Sequence, residues 1–420
     1  MSGIDGTGGT DGPGEGDNLN GNATSSRPKR LVHLTTADIS LELLLGPQLS
    51  AFIDAGYEVI GMSAPGPFVP AVEARGVTHV PLVNATRSMA PHRDLLAIGE
   101  LTRLFRQLKP DIVHTHNPKP GLYGRIAAKA ARVPTIVNTV HGLYALPGDR
   151  ARKRIPIYAL ERMASACSNA ELVQNIEDID TLTRVLRIPE HKVHLLGNGV
   201  DLGRFNTDSR DQSRHAIRAE LGIGDDAVVI GAIGRLVLEK GYVELFEAWD
   251  RVRHSHPGAV LVVVGPEDED KADSLPSDVM ATARDAGVRF LGMRDDVEDI
   301  YPALDVYVLA SHREGLPRSA MEAAACGLPI IATDIRGCRQ VVDHGVNGLL
   351  VPVHSADGIA DALDRLVGDA ALRASMSDAA LDKARSDFDQ QTVIDITLET
   401  YRRLSGEPDG TQGRRGQVSQ

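Results

Sequence analysis

Short apolar runs separated by segments with helical spacing recur along almost the entire chain. The first run, Arg30–Thr35, is followed by apolar residues at helical intervals from Leu41 to Ile53. Strands that alternate with helices build parallel sheets, and the helices then cover both faces of each sheet. The sequence therefore predicts an α/β fold made of doubly wound parallel sheets.

The runs fall into two series, separated by a Gly- and Asn-rich segment at Leu196–Asn206 that has the composition of a hinge. The 420 residues are enough for two or three domains with proper cores. We therefore predict two doubly wound halves. The first series comprises Arg30–Thr35, Tyr57–Met62, Val77–Leu82, Asp111–His116, Pro134–Val140, Ala170–Asn175 and Lys192–Leu196; the second comprises Ala227–Gly234, Ala259–Gly265, Val288–Met293, Asp305–Ser311, Leu328–Thr333 and Gly348–Val353.

Both ends of the chain lack large apolar side chains. Residues 1–26 are mainly Gly, Asp, Asn, Ser and Thr, and residues 406–420 have a similar composition. Because such segments cannot bury enough surface to offset the entropy of ordering, we expect two disordered tails. Between them we place an N-terminal domain at 27–198, a C-terminal domain at 199–387, and a last helix at 388–405 that crosses back to the N-terminal domain.

The composition excludes several classes of protein. The net charge of −12 argues against a general nucleic-acid binder. The three cysteines, Cys167, Cys326 and Cys338, form no C-x-x-C pair, which argues against a disulfide framework and a zinc site. The N-terminus has no secretory signal pattern, and no run reaches the ~18 apolar residues of a membrane span. We expect a cytosolic protein that is at most peripheral to a membrane.

Charge differs between the two halves. Residues 27–200 carry a net charge of +6, whereas residues 201–400 carry −16. Two interpretations stay open at equal weight. Either the two domains differ only in their solubility, or the basic N-terminal half meets an anionic surface or substrate.

The loop after the run Ala227–Gly234 combines cations with the start of a helix. Ligands of open parallel sheets bind beyond the carboxyl ends of the strands, which is where Arg235 and Lys240 stand. Free backbone amides, the positive end of a helix dipole and two cations suit a diphosphate. Taken alone, such a pair is more often solvated surface, and the loop matches neither a Walker motif nor G-x-G-x-x-G.

Two glutamates follow the run Asp305–Ser311. Glu314 stands on the loop after this strand, and Glu322 stands eight residues further on, inside the predicted next helix. Carboxylates accept hydrogen bonds from hydroxyl groups, so this pair suits a sugar at one end and a ribose at the other. The alternative for Glu322, a solvated helix surface, is weakened because its neighbours Met321 and Ala323–Cys326 are apolar or small.

Together, these motifs resemble those of the retaining nucleotide-sugar glycosyltransferases of family 4. The resemblance covers residues 29–405 and implies the GT-B architecture, in which two Rossmann-like domains face each other across a cleft. The N-terminal domain would then bind the acceptor and the C-terminal domain the nucleotide sugar. The resemblance assigns Arg235 and Lys240 to the donor diphosphate, Glu314 to the donor sugar and Glu322 to the ribose.

The resemblance also implies the remaining donor contacts. The amides of Gly315 and Leu316 would face the donor. The other expected donor-binding residues, on segments that follow strands of the second series, are Gly234, Gly265, Met293 and Arg294.

The N-terminal half resembles the branch of this family that assembles bacterial surface polysaccharides. His141, in a His-Gly pair after a strand, is the candidate beside the donor sugar, so the predicted catalytic set is His141, Arg235, Lys240 and Glu314. The loop 35–41 lacks the family's paired glycines and has Ala37-Asp38-Ile39-Ser40 instead. Residues 198–201 match the interdomain hinge.

Three residues are candidates for the acceptor side of the cleft: Ser40, His116 and Lys119. His116 stands near a strand end and is either a site residue or a core residue. For His114, inside the same strand, we favour a buried core histidine.

No metal and no cofactor are expected, because two cations and a helix dipole already supply positive charge to the site. Two acidic tracts, at residues 178–180 and 268–270, are the candidates for metal binding. Neither follows a strand in the pattern of the cleft residues, and we interpret both as solvated charge.

The family resemblance implies a retaining transfer of a sugar from a nucleotide diphosphate, with UDP favoured. The leaving diphosphate oxygen would help deprotonate the acceptor hydroxyl, so that no strong general base is needed. The expected acceptor is a polyprenyl-diphosphate-linked glycan at the cytoplasmic face of the membrane. The alternatives are a soluble sugar or inositol phosphate acceptor, a UDP-sugar 2-epimerase with the same architecture, or a binding protein without activity.

A basic cluster supports a membrane location. Arg150, Arg152, Lys153 and Arg154 precede or open a predicted helix that carries Ile157, Leu160 and Met163. A basic amphipathic helix can rest on an anionic lipid surface. The alternative is an ordinary solvated helix start that packs on the sheet.

Overall fold

The computed structural model describes residues 27–84, 91–116, 118–267 and 273–407. Within this part of the chain, thirteen strands form two separate parallel sheets of seven and six strands. The first sheet has the order β3-β2-β1-β4-β5-β6-β7. Its strands are β1 (Arg30–Ala37), β2 (Glu58–Ala64), β3 (Thr78–Pro81), β4 (Ile112–His116), β5 (Thr135–Val140), β6 (Ala170–Val173) and β7 (Val193–Leu195).

The second sheet has the order β10-β9-β8-β11-β12-β13 and is also parallel throughout. In both sheets the chain starts at a central strand and adds strands outward in both directions, which is the doubly wound arrangement. Its strands are β8 (Val229–Ile233), β9 (Val260–Val264), β10 (Arg289–Phe290), β11 (Val306–Leu309), β12 (Ile330–Thr333) and β13 (Gly348–Val351).

Helices connect the strands and cover both faces of each sheet. The helices are α1 (Gly46–Asp54), α2 (Val69–Ala74), α3 (Pro91–Leu108), α4 (Pro118–Ala130), α5 (Ala151–Ser165), α6 (Ile176–Asp180), α7 (Arg210–Leu221), α8 (Tyr242–Ser255), α9 (Ser277–Asp285), α10 (Val297–Ile300), α11 (Arg318–Ala325), α12 (Arg336–Val341), α13 (Ala356–Gly368), α14 (Ala370–Asp387) and α15 (Gln390–Leu404).

Every apolar run predicted as a strand contains one, and the predicted doubly wound α/β fold is confirmed. The hydrophobic cores explain why the strands could be predicted from the sequence. One apolar cluster joins the first sheet to α3 and α4, and another lies on its opposite face against α1 and α15. Strands buried on both faces are continuously apolar, so they stand out from the amphipathic helices.

The chain crosses between the two sheets twice, at adjacent places. Near Val200 it passes from the first sheet to the second, and near Gln390 it returns. The two crossings are hydrogen-bonded to each other, since Val200 N donates to Phe388 O (2.8 Å) and Gln390 N donates to Val200 O (3.1 Å). A Cβ at Gly199 would lie 2.4 Å from the Cα of Gln390, so glycine permits this close approach. The returning helix α15 buries its apolar face, including Tyr401, against the first sheet.

The predicted tail 1–26 lies outside the described residues. Residues 408–420 of the predicted tail 406–420 also lie outside them. The acidic tract 268–270 lies outside them as well.

Candidate functional site

The loop after β8 is shaped by glycines that bring three backbones together. Gly234 N donates to Val264 O (2.9 Å), and a Cβ at Gly265 (φ +148°) would lie 1.9 Å from Gly234 O. Gly241 has φ +71° and packs directly on Ala310 O, where a Cβ would be only 2.0 Å away. Only glycine fits such positions. The loop therefore lies flat on the strand ends just before α8 begins.

The cation and the carboxylate predicted for this site meet in the structure. Lys240 Nζ lies 2.6 Å from Glu314 Oε1, and both side chains are largely buried. Ser311 Oγ donates to the same carboxylate oxygen at 2.7 Å. Arg235, on the same loop, is exposed. Lys240 is thus already neutralised by Glu314, and an incoming phosphate would compete with that carboxylate for the ammonium group.

The two domains touch at the loop that carries Glu314. A Cβ at Gly315 would lie 2.1 Å from the carbonyl oxygen of His141, so the two backbones are in direct contact. Asn175 Nδ2 donates to Gly315 O at 2.7 Å, and Asn198 Nδ2 donates to Leu316 O at 3.4 Å. The carboxyl ends of β5, β6 and β11 therefore meet here, and the structure brings the candidate His141 to the loop of Glu314.

His141 is the outer member of a histidine array that also contains His33, His114 and His116. Its Nε2 lies 3.2 Å from His116 Nδ1, and His116 Nε2 lies 2.9 Å from His33 Nδ1. His114 pairs with Thr139 Oγ1 (2.7 Å) and with the hydroxyl of Tyr401. In each such pair of rings one nitrogen donates and the other accepts, so the array can be satisfied without charge.

Burial keeps the array neutral. Desolvation lowers the pKa of His33 to about 3 and the pKa of His141 to about 4. Burial, with repulsion between the rings, also lowers the pKa of His114 and His116 well below the ordinary value. His116 is 1% exposed. It therefore reaches the cleft only through His141, which corrects its assignment to the acceptor side, while the prediction of a buried core histidine is confirmed for His114.

Glu322 lies in the second turn of α11. Tyr301 Oη donates to Glu322 Oε2 at 3.0 Å, and the Arg318 guanidinium lies 3.7 Å from Glu322 Oε1. Burial raises the pKa of Glu322, although Arg318 and the Tyr301 hydrogen bond oppose this. Arg318 also donates to Leu43 O of the first domain at 2.9 Å. The carboxylate is therefore held in one orientation by Tyr301 from the core of the second domain and by Arg318 at the domain boundary.

The residues expected near the base of the nucleotide have different surroundings in the structure. Gly265 packs against the loop of Gly234, as described above. Met293 is 55% exposed, whereas Arg294 is held by Glu220 (2.6 Å) and Asp296 (2.7 Å). Both carboxylates raise the pKa of Arg294. The guanidinium of Arg294 is therefore committed to these carboxylates, and the donor-binding role expected of Met293 and Arg294 stays a prediction.

Two further acceptor-side candidates lie at the carboxyl edge of the first sheet. Ser40 opens a π-helical turn, and Lys119 in the first turn of α4 pairs with Asp94 of α3 at 2.7 Å. The Asp38 carboxylate accepts hydrogen bonds from the amides of Ile39 (2.9 Å) and Phe68 (2.7 Å). The loop 35–41, which lacks the paired glycines, is thus held in place by the hydrogen bonds of Asp38.

One interpretation of the sequence was wrong. Asp178 is not solvated: it is 1% exposed and forms an ion pair with Arg336 across the domain boundary. Its Oδ2 also accepts from Leu143 N at 3.1 Å, and Arg336 donates to Leu143 O at 3.3 Å. Asp180, two residues on, is exposed as expected. Asp178 closely follows β6 and Arg336 closely follows β12, so inspection of all strand ends would have found the pair.

Two family models match the chain, one on each half. The model described as Glycosyltransferase Family 4 covers residues 48–204, and the model described as Glycosyl transferases group 1 covers residues 213–383. The galactosyltransferase of Escherichia coli that acts from UDP-Gal on α-D-GlcNAc-diphosphoundecaprenol is 30% identical over 320 residues, covering 75% of this chain and 81% of the relative. The chain belongs to glycosyltransferase family 4.

Other members of the family and its fold are also similar. A D-inositol 3-phosphate glycosyltransferase of Saccharomonospora viridis is 32% identical over 309 residues, or 70% of each chain. The solved structure of Anabaena HepE in complex with UDP and glucose has a TM-score of 0.74 at 20% identity, covering 89% of this chain and 100% of that one. The predicted GT-B architecture of this family 4 glycosyltransferase is thereby confirmed.

Among the described residues, no helix combines the length and apolar character needed to cross a bilayer.

Proposed function

We propose that this glycosyltransferase moves a sugar, with retention, from a UDP-sugar to a hydroxyl group of a polyprenyl-diphosphate-linked glycan. The observation that carries the donor half of the proposal is the junction of Lys240, Glu314 and His141 at the contact between the two domains. A cation, a carboxylate and an uncharged imidazole there match a diphosphate and a sugar. Anabaena HepE binds UDP and glucose with the same fold.

The site supplies charge where the reaction needs it. As the bond between the sugar and the diphosphate breaks, negative charge grows on the leaving oxygen, and Lys240 and Arg235 stabilise it. That oxygen accepts the proton of the acceptor hydroxyl on the same face of the sugar. His141, whose pKa is held low by burial, stays neutral and acts as a hydrogen-bonding group rather than as a charge.

The acceptor half of the proposal rests on one edge of the first domain. Helices α3 and α5 both begin at the carboxyl edge of the sheet, and their first turns expose apolar and basic side chains together. On α3 Leu95 is 71% exposed, and on α5 Ile155 is 63% exposed and Arg152 and Lys153 are exposed as well. Such a surface suits an anionic membrane that presents a lipid-linked diphosphate. The E. coli relative acts on a diphosphoundecaprenol substrate.

The exposed side chains of the predicted amphipathic helix differ in part from those expected. Leu160 and Met163 of α5 are exposed, whereas Ile157 is half-buried, and Ile155 takes its place on the surface. Arg154 donates to Pro147 O and so serves the fold of the preceding loop. The side chains that remain exposed to lipid headgroups are therefore Arg150, Arg152 and Lys153, of which Lys153 also pairs with Asp149 at 3.0 Å.

Membrane docking is tested by sedimentation with anionic vesicles. Changing Arg150, Arg152 and Lys153 to Gln should weaken binding at low salt by roughly 100-fold, at about 1 kcal/mol for each charge, and high salt should remove the difference. The matched control changes Arg251, Arg253 and Arg284, three basic residues of the second domain's surface, to Gln. Equal loss in both triple variants would contradict docking through α5.

Transfer itself is tested by product analysis with labelled UDP-sugars. The expected product is an extended lipid diphosphate formed from a polyprenyl-diphosphate-linked sugar, with the anomeric configuration of the donor. Products from D-inositol 3-phosphate alone would favour the soluble acceptor, for which the Saccharomonospora viridis relative is the precedent. Conversion of the UDP-sugar with no acceptor would instead indicate an epimerase.

A further inference from the structure

Glu244, His312 and His354 converge outside the catalytic set described above. His312 Nε2 and His354 Nδ1 both lie 2.9 Å from the same carboxylate oxygen, Glu244 Oε1. Their possible ligand atoms all lie within 4.8 Å of one another, and the two imidazole centroids are only 3.9 Å apart. We propose that Glu244, His312 and His354 form a binding site for a divalent transition-metal ion of the zinc class.

The fold brings these residues together from three separate loops. Glu244 is in the first turn of α8, His312 follows β11, and His354 follows β13. The backbone amide of His312 also donates to Glu239 O at 2.8 Å, which fixes its loop beside the start of α8. An ion bound here would join three connections at the carboxyl edge of the second sheet.

Two observations indicate that the three side chains are held for a ligand. His354 has φ +58°. The other described non-glycine residues with positive φ, Lys109, Arg132 and Arg187, follow helical turns, where a left-handed residue is common. His354 instead lies in the turn between β13 and α13, and its left-handed backbone in this turn directs the imidazole to Glu244.

The carboxylate is the second observation. One oxygen of Glu244 faces both imidazoles, and the other, Oε2, is buried without a hydrogen-bond partner among the described residues. A buried carboxylate oxygen that accepts no hydrogen bond lowers the stability of the folded state. A metal ion between the three groups would accept electron pairs from both imidazoles and from the carboxylate, and so compensate for the missing donor.

The donor set selects the class of ion. Two imidazole nitrogens and one carboxylate oxygen suit Zn²⁺ and ions of similar chemistry, whereas Mg²⁺ prefers oxygen ligands and water. His354 is 61% exposed at its side chain, so the fourth position faces solvent and would hold water. In the ion-bound form His312 would coordinate through Nε2 and carry its proton on Nδ1, and His354 would coordinate through Nδ1 and carry its proton on Nε2, because a coordinating ring nitrogen has no proton.

The buried histidines do not offer an equivalent site. His33, His114 and His116 also place nitrogens within 4.8 Å of one another. However, both ring nitrogens of each already have a hydrogen-bond partner inside the core. An ion there would have to break this network and enter a region with no opening to solvent, since all three side chains are at most 1% exposed.

Cobalt titration of the full chain tests the proposal, because Co²⁺ replaces Zn²⁺ and absorbs visible light. After chelator dialysis, one equivalent of Co²⁺ should give a ligand-field spectrum, raise the melting temperature, and be displaced by Zn²⁺ but not by Mg²⁺. His354→Gln and His312→Gln should each weaken Co²⁺ binding by at least about tenfold. The His354 side chain is exposed, so its variant should fold normally.

His256→Gln is the matched control. His256 forms a comparable surface pair with Asp364 at 2.8 Å in the same domain, but no third ligand joins it among the described residues. This variant should bind Co²⁺ as the wild type does. A cobalt spectrum that survives in both His354→Gln and His312→Gln, displacement by Mg²⁺, or no cobalt spectrum at all would overturn the proposal and leave a carboxylate–imidazole ion-pair cluster.

Discussion

The loops after β8 and β11 place charged side chains at the contact between the domains, whereas β4 and β5 of the first sheet end in uncharged imidazoles. On the first side Lys240 and Glu314 form an ion pair at 2.6 Å. On the second, His116 and His141 share a hydrogen bond and have pKa values held low by burial. One side of the cleft therefore presents charged groups at this contact, and the other presents uncharged groups that form hydrogen bonds.

The outer surfaces of the two domains differ as well. Among the described residues, eleven of the fifteen exposed large apolar side chains belong to the first domain. The same half carries the positive net charge, and the second half the negative one. A basic surface with apolar side chains suits a membrane-bound acceptor, while a soluble anionic nucleotide needs only local cations in an acidic domain. If the proposed function holds, donor and acceptor recognition should therefore be separable by mutation.

The largest expected effect comes from breaking the ion pair that joins the two sides. Asp178→Asn should lower the free energy of unfolding by about 3 kcal/mol, because it leaves the Arg336 guanidinium buried without its counter-charge. Urea denaturation followed by circular dichroism measures the loss. Asp180→Asn, two residues along and exposed, is the control. If both variants unfold at the same urea concentration, the buried pair does not hold the domains together.

The second largest effect is expected from removing positive charge on the donor side of the cleft. Lys240→Ala and Arg235→Ala should each lower kcat/KM by about 10²-fold or more, since each removes a charge-assisted contact to the leaving diphosphate. Both proteins should remain folded, although Lys240→Ala should melt at a lower temperature than Arg235→Ala, because it leaves the largely buried Glu314 carboxylate without its counter-charge. Arg251→Ala, at an exposed pair with Asp357, should turn over normally. Near-normal turnover of both site variants would contradict the assignment of the donor diphosphate to this loop.

The comparison also explains what could be read from the sequence. The strands and the doubly wound sheets were predictable, because they depend on local periodicity. The GT-B architecture followed from the resemblance of motifs that directly follow strands, and the same resemblance named Lys240 and Glu314 as residues of one site. The histidine array was not, because His33 and Tyr401 come from opposite ends of the chain and no local pattern joins them. Asp178 was misread for a different reason: it and Arg336 each closely follow a strand, but they lie in different domains, so only a comparison of all strand ends brings them together.

Acid should destabilise the neutral side of the cleft selectively. The folded pKa values of His33 (about 3) and His141 (about 4) lie below the unfolded value of 6.5. The unfolded chain therefore takes up protons first as the pH falls. The stability that depends on these two histidines is intact above pH 6.5 and is lost from there down to about pH 4 for His141 and about pH 3 for His33. At pH 5 the expected loss is about 2 kcal/mol for each of these histidines.

Two probes separate the domains in this experiment. Trp249 is the only tryptophan of the chain and lies in the core of the second domain, so its fluorescence reports on that domain. Circular dichroism reports on both domains. Between pH 7.5 and pH 5 the circular dichroism midpoint in urea should fall more than the tryptophan midpoint. Equal shifts of the two probes would mean that the buried histidines do not govern the acid response.

The smallest expected effect is that of chelation on turnover. Excess EDTA should leave kcat/KM unchanged, because Arg235, Lys240 and the start of α8 supply the positive charge that a metal ion provides in other transferases. The same treatment should lower the melting temperature by emptying the site at Glu244, so the two readouts separate catalysis from stability. Loss of turnover that Mg²⁺ or Mn²⁺ restores would mean that the cations of this loop are insufficient. Loss that only Zn²⁺ restores, and only while His354 is present, would instead tie transfer to the Glu244 site, which shares the β11–α11 connection with Glu314.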